Sequence, residues 1–505
     1  MNMRRFVFAV CLMLFLFSTA FSLQSVYATA KDNTLIIAHY GDTPNFDTHN
    51  NINDNGMRIN TILYDPLVRM DNETYEIYPC IAESWSVSED GTEYLFKIKK
   101  GVKFSDGTEM KLSDVVFSMQ RGMESPKAVP SFARVIKAEG IGDDTLKLTL
   151  DGPYPEFLFA LALPTAGIVS EKAVKDKGED FSMDPVTTGP YMLVDWRIGE
   201  RVLFKANPNY HMGEAPIKNV EYRVITDPNA AVISLEAGDI DAYVGVPPSS
   251  FKRINKSPTL ELHTGLSFGF TFIQLNMARS PFDNPLVRQA IAHAIDKEEI
   301  LYGIFEGDGE IVDTFALPTY LGFTDEVEKY PFDLEKSQQL IEEANLSEKT
   351  EISILLYTAK MSKLSQVLQD SLADIGIDVK INQVERSAFN DAKQRGDFDI
   401  ICDGNTFTAP TVDESIYTVV RTGEYFNDNG YSNPDVDQWL DEARVTVNDN
   451  DRAELYKKVL VQLSKDLPMI PITWNKANIA TNKNLLGVTA NPWSFYNVYD
   501  FYWQE

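Results

Sequence analysis

Two hydrophobic periods alternate along this chain, and the switches between them mark out its elements. Over residues 351–358, Ile352, Ile354, Leu355 and Leu356 read as a strand. Over 361–375, Leu364, Val367, Leu368, Leu372 and Ile375 recur at spacings of three and four, which predicts a helix. Gly376 ends it, because a left-handed cap costs glycine least. Residues 377–381 alternate as a second strand, 387–395 form a short helix closed by Gly396, and 398–402 form a third strand. The order β-α-β-α-β calls for a mostly parallel sheet covered by helices.

Further helices are expected from Asn284, where Pro285 suits the first helical position, and around the stripe Leu455, Tyr456, Val459, Leu460, Leu463. Residues 469–474 then return as a strand. The N-terminal half has a different texture. Residues 94–98 and 146–150 alternate with period two beside the turn sequences Asp90-Gly91, Ser105-Asp106-Gly107 and Asp143-Asp144. Residues 61–180 are read as a smaller antiparallel α+β part, and the fold class as α/β with that part added.

The first 30 residues belong to targeting. Arg4 and Arg5 precede an apolar run at 6–17, and Ala28-Thr29-Ala30 makes a small-residue cleavage site. This is the layout of a secretory signal peptide, and the run is too short to span a bilayer. Cys11 lies inside the run, so no lipid-bearing cysteine is indicated. The expected location is periplasmic. The net charge of −28 becomes −30 once residues 1–30, with their two arginines, are removed. Such acidity repels phosphate backbones, argues against nucleic acid, and suits a soluble monomer. Cys80 and Cys402 lie in apolar surroundings and are expected to be buried free thiols. A mature length near 475 residues calls for more than one core, and no Gly-, Ser- or Pro-rich linker separates the halves. Ordered crossings must therefore join them.

No reactive centre is convincing. Gly265-Leu266-Ser267-Phe268-Gly269 matches a nucleophile elbow, but the alternating residues that follow read as a strand where that motif needs a helix. Glycines there suit a hinge better. His39, His49, His211, His263 and His293 stand singly, without zinc-site spacing; His39, after an apolar strand, could face a cleft. The run Asn51-x-Asn53-x-Asn55-Gly56 opens like a calcium loop, but Ile62 stands where the bidentate glutamate is required. No cofactor and no metal site are expected, and a binder is favoured over an enzyme.

Three sets of segments then carry a resemblance. They are Ile81-Ala82-Glu83-Ser84-Trp85 running on to Ser105-Asp106-Gly107; Thr188-Gly189-Pro190-Tyr191 with Asn207-Pro208-Asn209-Tyr210; and Pro281-Phe282-Asp283-Asn284-Pro285 with Arg288 and Ala294-Ile295-Asp296-Lys297. In order and spacing the chain resembles the peptide and nickel class, family 5, of extracellular solute-binding proteins that serve ABC importers. The resemblance implies a periplasmic-binding-protein-like fold of type II in its large class. Two lobes are joined by two hinge crossings, with an extra α+β subdomain. Lobe one is placed at 31–60, 181–265 and 482–505, the insertion at 61–180, and lobe two at 266–481.

The implied function is capture of a small ligand, a peptide or oligopeptide first, for delivery to a membrane permease. An oligosaccharide, opine-like compound or metal chelate is the alternative ligand; a secreted hydrolase is the rival from another class. Ligand contacts are expected from loops at the carboxyl ends of sheet strands. The candidates are Tyr40, Asp42, Asn45 and Phe46 in lobe one; Phe268 and Phe270 at the hinge; Asp403, Asn405, Thr406, Phe407, Thr408 and Asp413 in lobe two; and Trp493 and Tyr496 near the C-terminus. Peptide binders of the family commonly carry an aspartate in the lobe-two loop to pair with the ligand's amino group. Threonines stand there in this chain, so either Asp403 or Asp413 substitutes or the ligand is not an ordinary peptide.

Overall fold

The computed structural model describes residues 33–346, 351–407 and 409–504. The leader at 1–30 and Thr408 lie outside the described residues.

The helices begin where the sequence offers a cap. Thr358 accepts from the Met361 amide at the head of Ala359–Ala373, and Asn284 accepts from Leu286 at the head of Pro285–Ala294. These caps answer amides that have no partner within the helix. Strands Glu351–Leu356, Asp378–Gln383 and Ile400–Thr406 form the expected parallel unit, with Glu351–Leu356 in the middle. The third strand starts two residues later than the sequence pattern suggests, and Phe398 just ahead of it packs with Leu355, Phe389 and Ile401.

One eleven-stranded sheet runs through the molecule. Its spine is a pair of long antiparallel strands, Leu260–Leu275 and Met469–Asn482. At one end Thr34–His39 lies parallel to both Asn219–Val224 and Ala242–Val244, and the latter pairs with residues 479–481 of the second long strand. At the other end residues 269–275 of the first long strand pair with Ile400–Thr406. The partners change where the register breaks, between Leu266, opposite Lys476, and Phe270, opposite Trp474. The extra residues on one side make a β-bulge, which bends a strand and raises its twist. Gly269 suits the tight approach there: a β-carbon would lie 3.1 Å from Thr406 Oγ1 and 3.2 Å from the Asn405 carbonyl.

Residues from the expected insertion form a separate four-stranded antiparallel sheet, Ala82–Val87, Glu93–Ile98, Thr145–Leu150 and Val135–Ile141. The core divides accordingly. One cluster joins this sheet to the first end of the large sheet, and another fills the parallel unit. A third, rich in aromatics, lies around the bulge and includes Phe268, Phe270, Phe315, Tyr320, Phe407 and Trp474. The molecule is thus an α/β two-lobed fold with an α+β subdomain, its lobes joined by two crossing strands. Ser267 sits within a strand, its hydroxyl donating to the Asn475 carbonyl at 3.0 Å, so the elbow reading has no helix to support it.

Candidate functional site

A cavity of about 360 Å³ opens beside the crossing strands. Two local structures shape it. The first is the hairpin Val68–Met70 and Ile77–Pro79, whose turn is held by the Asp71 carboxylate: Oδ1 accepts from the Glu73 amide at 2.9 Å and from the Thr74 amide and hydroxyl at 2.8 and 3.0 Å. Aspartate favours such turns because its short side chain reaches the amides two and three residues on. These bonds hold the Asp71 carboxyl below its usual range. The second is the segment 487–500. Asn491 Oδ1 accepts from the Trp493 and Phe495 amides at 2.9 and 3.0 Å, while its Nδ2 donates to Asn72 Oδ1 at 2.7 Å. One side chain thus shapes the C-terminal segment and ties it to the hairpin turn.

The lining is mixed. Trp493, Phe495 and Tyr78 supply apolar and ring surface; Asn72, Thr489, Asn491 and Asn497 supply amides and a hydroxyl; Arg69, Asp71, Glu73 and Asp500 supply charge. Trp493 meets Phe268 edge to face with centroids 5.5 Å apart, and Phe268 meets Tyr75 at 5.3 Å, so the cavity wall touches the bulge directly.

Arg69 is held from behind. Its guanidinium pairs with Asp65 and lies 3.4 Å from the Tyr210 hydroxyl, and His211 Nε2 is 2.7 Å from the other Asp65 oxygen. Burial opposes the charge on Asp65, but Arg69 and His211 outweigh it and keep the carboxyl below its usual range. Cys80 completes this buried group, its thiol pushed up to about 12 chiefly by burial. The ligating atoms of Asp65, Cys80 and His211 lie within 4.8 Å of one another. Both carboxylate oxygens of Asp65 are already engaged, so the group serves as a backing that fixes Arg69. Sequence reading, which expected no metal cluster, did not bring these three residues together.

Asp500 also lines the cavity. Its carboxyl accepts from Asn497 Nδ2 at 2.8 Å. Burial raises it above its usual value, with Arg69 and Asn497 drawing it part of the way back.

Of the described residues expected at a ligand site, the structure brings Trp493 to the cavity and places the others elsewhere; Thr408 lies outside the described residues. Phe46, Phe268 and Phe270 are fully buried. Phe270 stacks between Phe407 and Trp474, at 5.3 and 5.4 Å, as part of the aromatic core. Tyr496 is buried and does not line the cavity, although its neighbours Phe495 and Asn497 do. Asp42 accepts from Trp196 Nε1 at 3.0 Å and the Gly199 amide at 2.6 Å, and Asn45 Oδ1 caps the Asp47 amide, so both hold their own loops. Tyr40 is half exposed, donating to Asp54 with Arg58 over its ring. Asn405 and Thr406 continue the sheet opposite Phe270 and Gly269.

The two acids offered as partners for a ligand amine have internal cations. Asp413, with no exposed side-chain surface, takes three hydrogen bonds of 2.8–3.0 Å from Arg444. Asp403 lies 3.7 Å from Lys393, its carboxyl raised by burial and partly lowered by that lysine and the Gly404 amide. His39 is buried and stacked on Tyr222 at 4.2 Å, where burial and Arg58 hold its imidazole well below the ordinary value; it is a core ring and not a cleft ligand. Cys80 and Cys402 are free and buried, as the sequence indicates. The hairpin at 68–79 and Asp500 were missed. The turn chemistry of Asp71-Asn72-Glu73-Thr74 was readable, but nothing local says that a segment 420 residues later packs on it.

Among the described residues no helix is long and apolar enough to cross a membrane. Comparison with known proteins gives relatives over nearly the whole length. Heme-binding protein A of Haemophilus influenzae is 25% identical over 466 residues, covering 86% of this chain and 85% of its own. Di/tripeptide-binding protein 1 of Pseudomonas aeruginosa is 26% identical over 478 residues, covering 86% and 88%. The periplasmic binding protein DppA of Helicobacter pylori, solved with the peptide STSA, superposes with a TM-score of 0.78 at 25% identity, over 94% of this chain and 98% of that one. Residues 76–427 match the model of the bacterial extracellular solute-binding proteins, family 5 (middle). The two-lobed sheet, the bulged crossing strands and this match over most of the chain agree: the protein belongs to the bacterial extracellular solute-binding proteins of family 5.

Proposed function

We propose that this protein captures a peptide or short oligopeptide in the cavity beside the crossing strands and delivers it to the permease of an ABC importer. The observation that carries this reading is the cavity itself. It has the volume of a small-ligand site, and its mixed apolar, amide and charged lining suits a molecule with a backbone and both charged ends. Relatives named as peptide binders on the same fold support it. In this reading the protein is exported, acts as a monomer, and binds without turnover.

Strand pairing supports a division into lobes. Lobe one takes residues 31–60, 181–265 and the C-terminal segment, with 61–180 inserted. Residues 477–481 pair with strands assigned to lobe one, which supports a second boundary at the bulge near 475 in place of 482. Hinge closure then occurs about 267–269 and 474–476.

Isothermal titration of the chain from Lys31 onward with di- to tetrapeptides tests the proposal. Saturable one-to-one binding, with the peptide recovered intact, is the expected result. Absence of binding across that panel, with an opine, a sugar or a metal chelate binding instead, overturns the peptide assignment. Product formation overturns the binder.

A further inference from the structure

The subdomain meets lobe two across a face that buries charge. The two bodies touch beside Gly91, where Pro153 of the subdomain and Val447 of lobe two both lie close, and Phe159 packs onto the aromatic cluster around the bulge. In sequence between Pro153 and Phe159 stands Glu156, at the head of the short helix Phe157–Ala162. Only 3% of it is exposed, its side chain does not cap its own helix, and its Oε2 has no hydrogen-bond partner among the described residues.

The charges that lobe two sets around this carboxyl are already committed. Asp413 and Glu414 approach it from the helix Val412–Val420, and Arg452 and Tyr456 from Asp449–Asp466; Tyr94 and Tyr154 approach it from the subdomain. Arg444 spends its guanidinium on Asp413. Arg452 donates from Nη1 to the Thr446 carbonyl at 3.1 Å and from Nη2 to Asp449 at 2.8 Å, and no ion pair of 4.0 Å or less joins it to Glu156 among the described residues. The Tyr456 hydroxyl is buried and has no hydrogen-bond partner among the described residues. Contact between the bodies thus presses one buried carboxyl towards a second without bringing it a cation. An unpaired carboxylate in such a place costs far more than the neutral acid. Burial first, then Asp413, push the Glu156 carboxyl up, and Arg452 draws it only part of the way back.

We infer that closing the subdomain onto lobe two takes up a proton at Glu156, so that the lobes hold a guest more tightly in acid and release it as the pH rises. The proton comes from solvent on closing and returns there on parting, when Glu156 regains water. Glu156 is no part of the cavity lining, so this control acts on closure and not on contact with the guest. It rests on the capture reading above for its ligand. Where both the parted and the closed forms are protonated, affinity does not change with pH. Above the ordinary glutamate value only the closed form keeps the proton, and each further unit weakens binding by up to about tenfold.

The test titrates trialanine into the mature wild type and its Glu156→Gln variant by calorimetry, in two buffers of different ionisation enthalpy, with thermal melts as a folding control. Glutamine keeps the shape of the protonated acid and cannot titrate. The wild type should bind at least about fivefold more weakly at about pH 7 than at about pH 5.5, with uptake of up to about one proton per peptide. Glu156→Gln should lose most of both effects and bind near neutrality as the wild type does in acid. No proton uptake by the wild type, or an unchanged pH dependence in a folded Glu156→Gln, overturns the latch while leaving peptide capture intact. Absence of trialanine binding at either pH tells against the peptide reading instead, and small-angle scattering of the ligand-free chain then decides the latch. A radius that shrinks on acidification in the wild type and stays small at both pH values in Glu156→Gln supports it; a wild-type radius that ignores pH overturns it. Should Glu156→Gln fail to fold, Glu156→Ala takes its place with the same loss of pH dependence expected.

Discussion

Arg444 shows how one side chain serves both the core and the charge balance. It donates to both oxygens of Asp413, and its guanidinium carbon lies 3.1 Å from the centre of the Tyr417 ring. Removing the cation leaves a fully buried carboxylate without a partner. Arg444→Leu should therefore lose about 3–5 kcal/mol in urea unfolding. The double change with Asp413→Leu should lose much less, because the penalty is chiefly that of the orphaned charge.

Glu156 makes the complementary case. It is buried near Asp413, Glu414 and Arg452, its Oε2 has no hydrogen-bond partner among the described residues, and burial with the Asp413 charge raises its carboxyl from 4.5 to about 8. The folded form thus holds a proton that the unfolded chain releases near 4.5. Below that value both forms are protonated and the term vanishes. As pH climbs through the window to about 8, stability falls by up to about 1.4 kcal/mol per unit. Glu156→Gln should be more stable than the wild type at pH 8 and indistinguishable below 4.5 in melts across that range.

At the level of elements, the family's Thr188-Gly189-Pro190-Tyr191 signature acquires a physical reason. The Gly189 amide donates to the Leu63 carbonyl at 2.8 Å, and a β-carbon there would lie 2.5 Å from the Leu63 carbonyl carbon and 2.7 Å from the Ile62 oxygen. The neighbour is backbone, which cannot rotate away. Gly189→Ala should cost about 1–3 kcal/mol by strain alone, read as a lowered melting temperature. Such contacts show where sequence reading succeeds and stops. The helix Ala359–Ala373 and the strands around it were legible because periodicity, caps and Gly376 all act within a few residues. Arg288, part of a signature segment, holds the Asp466 and Phe282 carbonyls. The length of Met469–Asn482 was not: its second half is polar in places and is a strand because Ala242–Val244 and residues 260–266 pair with it. The site was least legible of all. Trp493 was found by its aromatic character, whereas Arg69 and Asp500 are brought to one cavity by packing between distant segments. The lobe-two loop drew attention through family expectation, but its acids are neutralised by Lys393 and Arg444, which lie outside the loop.

At the scale of the molecule, the subdomain and lobe two already touch. Tyr154 is half-buried where it feels the charges of Glu414, Asp413 and Arg444, and the space above Gly91 is bounded by Pro153 and by Val447 from the other body. Phe159 and Tyr75 pack onto the aromatic cluster around the bulge. This is a shut arrangement, and a solute-binding protein must leave it to admit a guest. Opening has to break these contacts while sparing the continuous sheet, and the register break at 267–269 opposite 474–476 is the place where strand partners change. The motion should therefore be a swing about the bulge, with each lobe moving as a rigid body. A compact chain of this mature length has a radius of gyration of roughly 23 Å. Small-angle scattering of the ligand-free protein should give a larger value, falling towards that figure when a bound peptide is added. Trp493→Ala removes the ring that joins the cavity wall to Phe268, so it should weaken binding and shrink the compaction at a given peptide concentration. Equal radii with and without a peptide shown to bind would place ligand entry elsewhere than in a swing of the lobes.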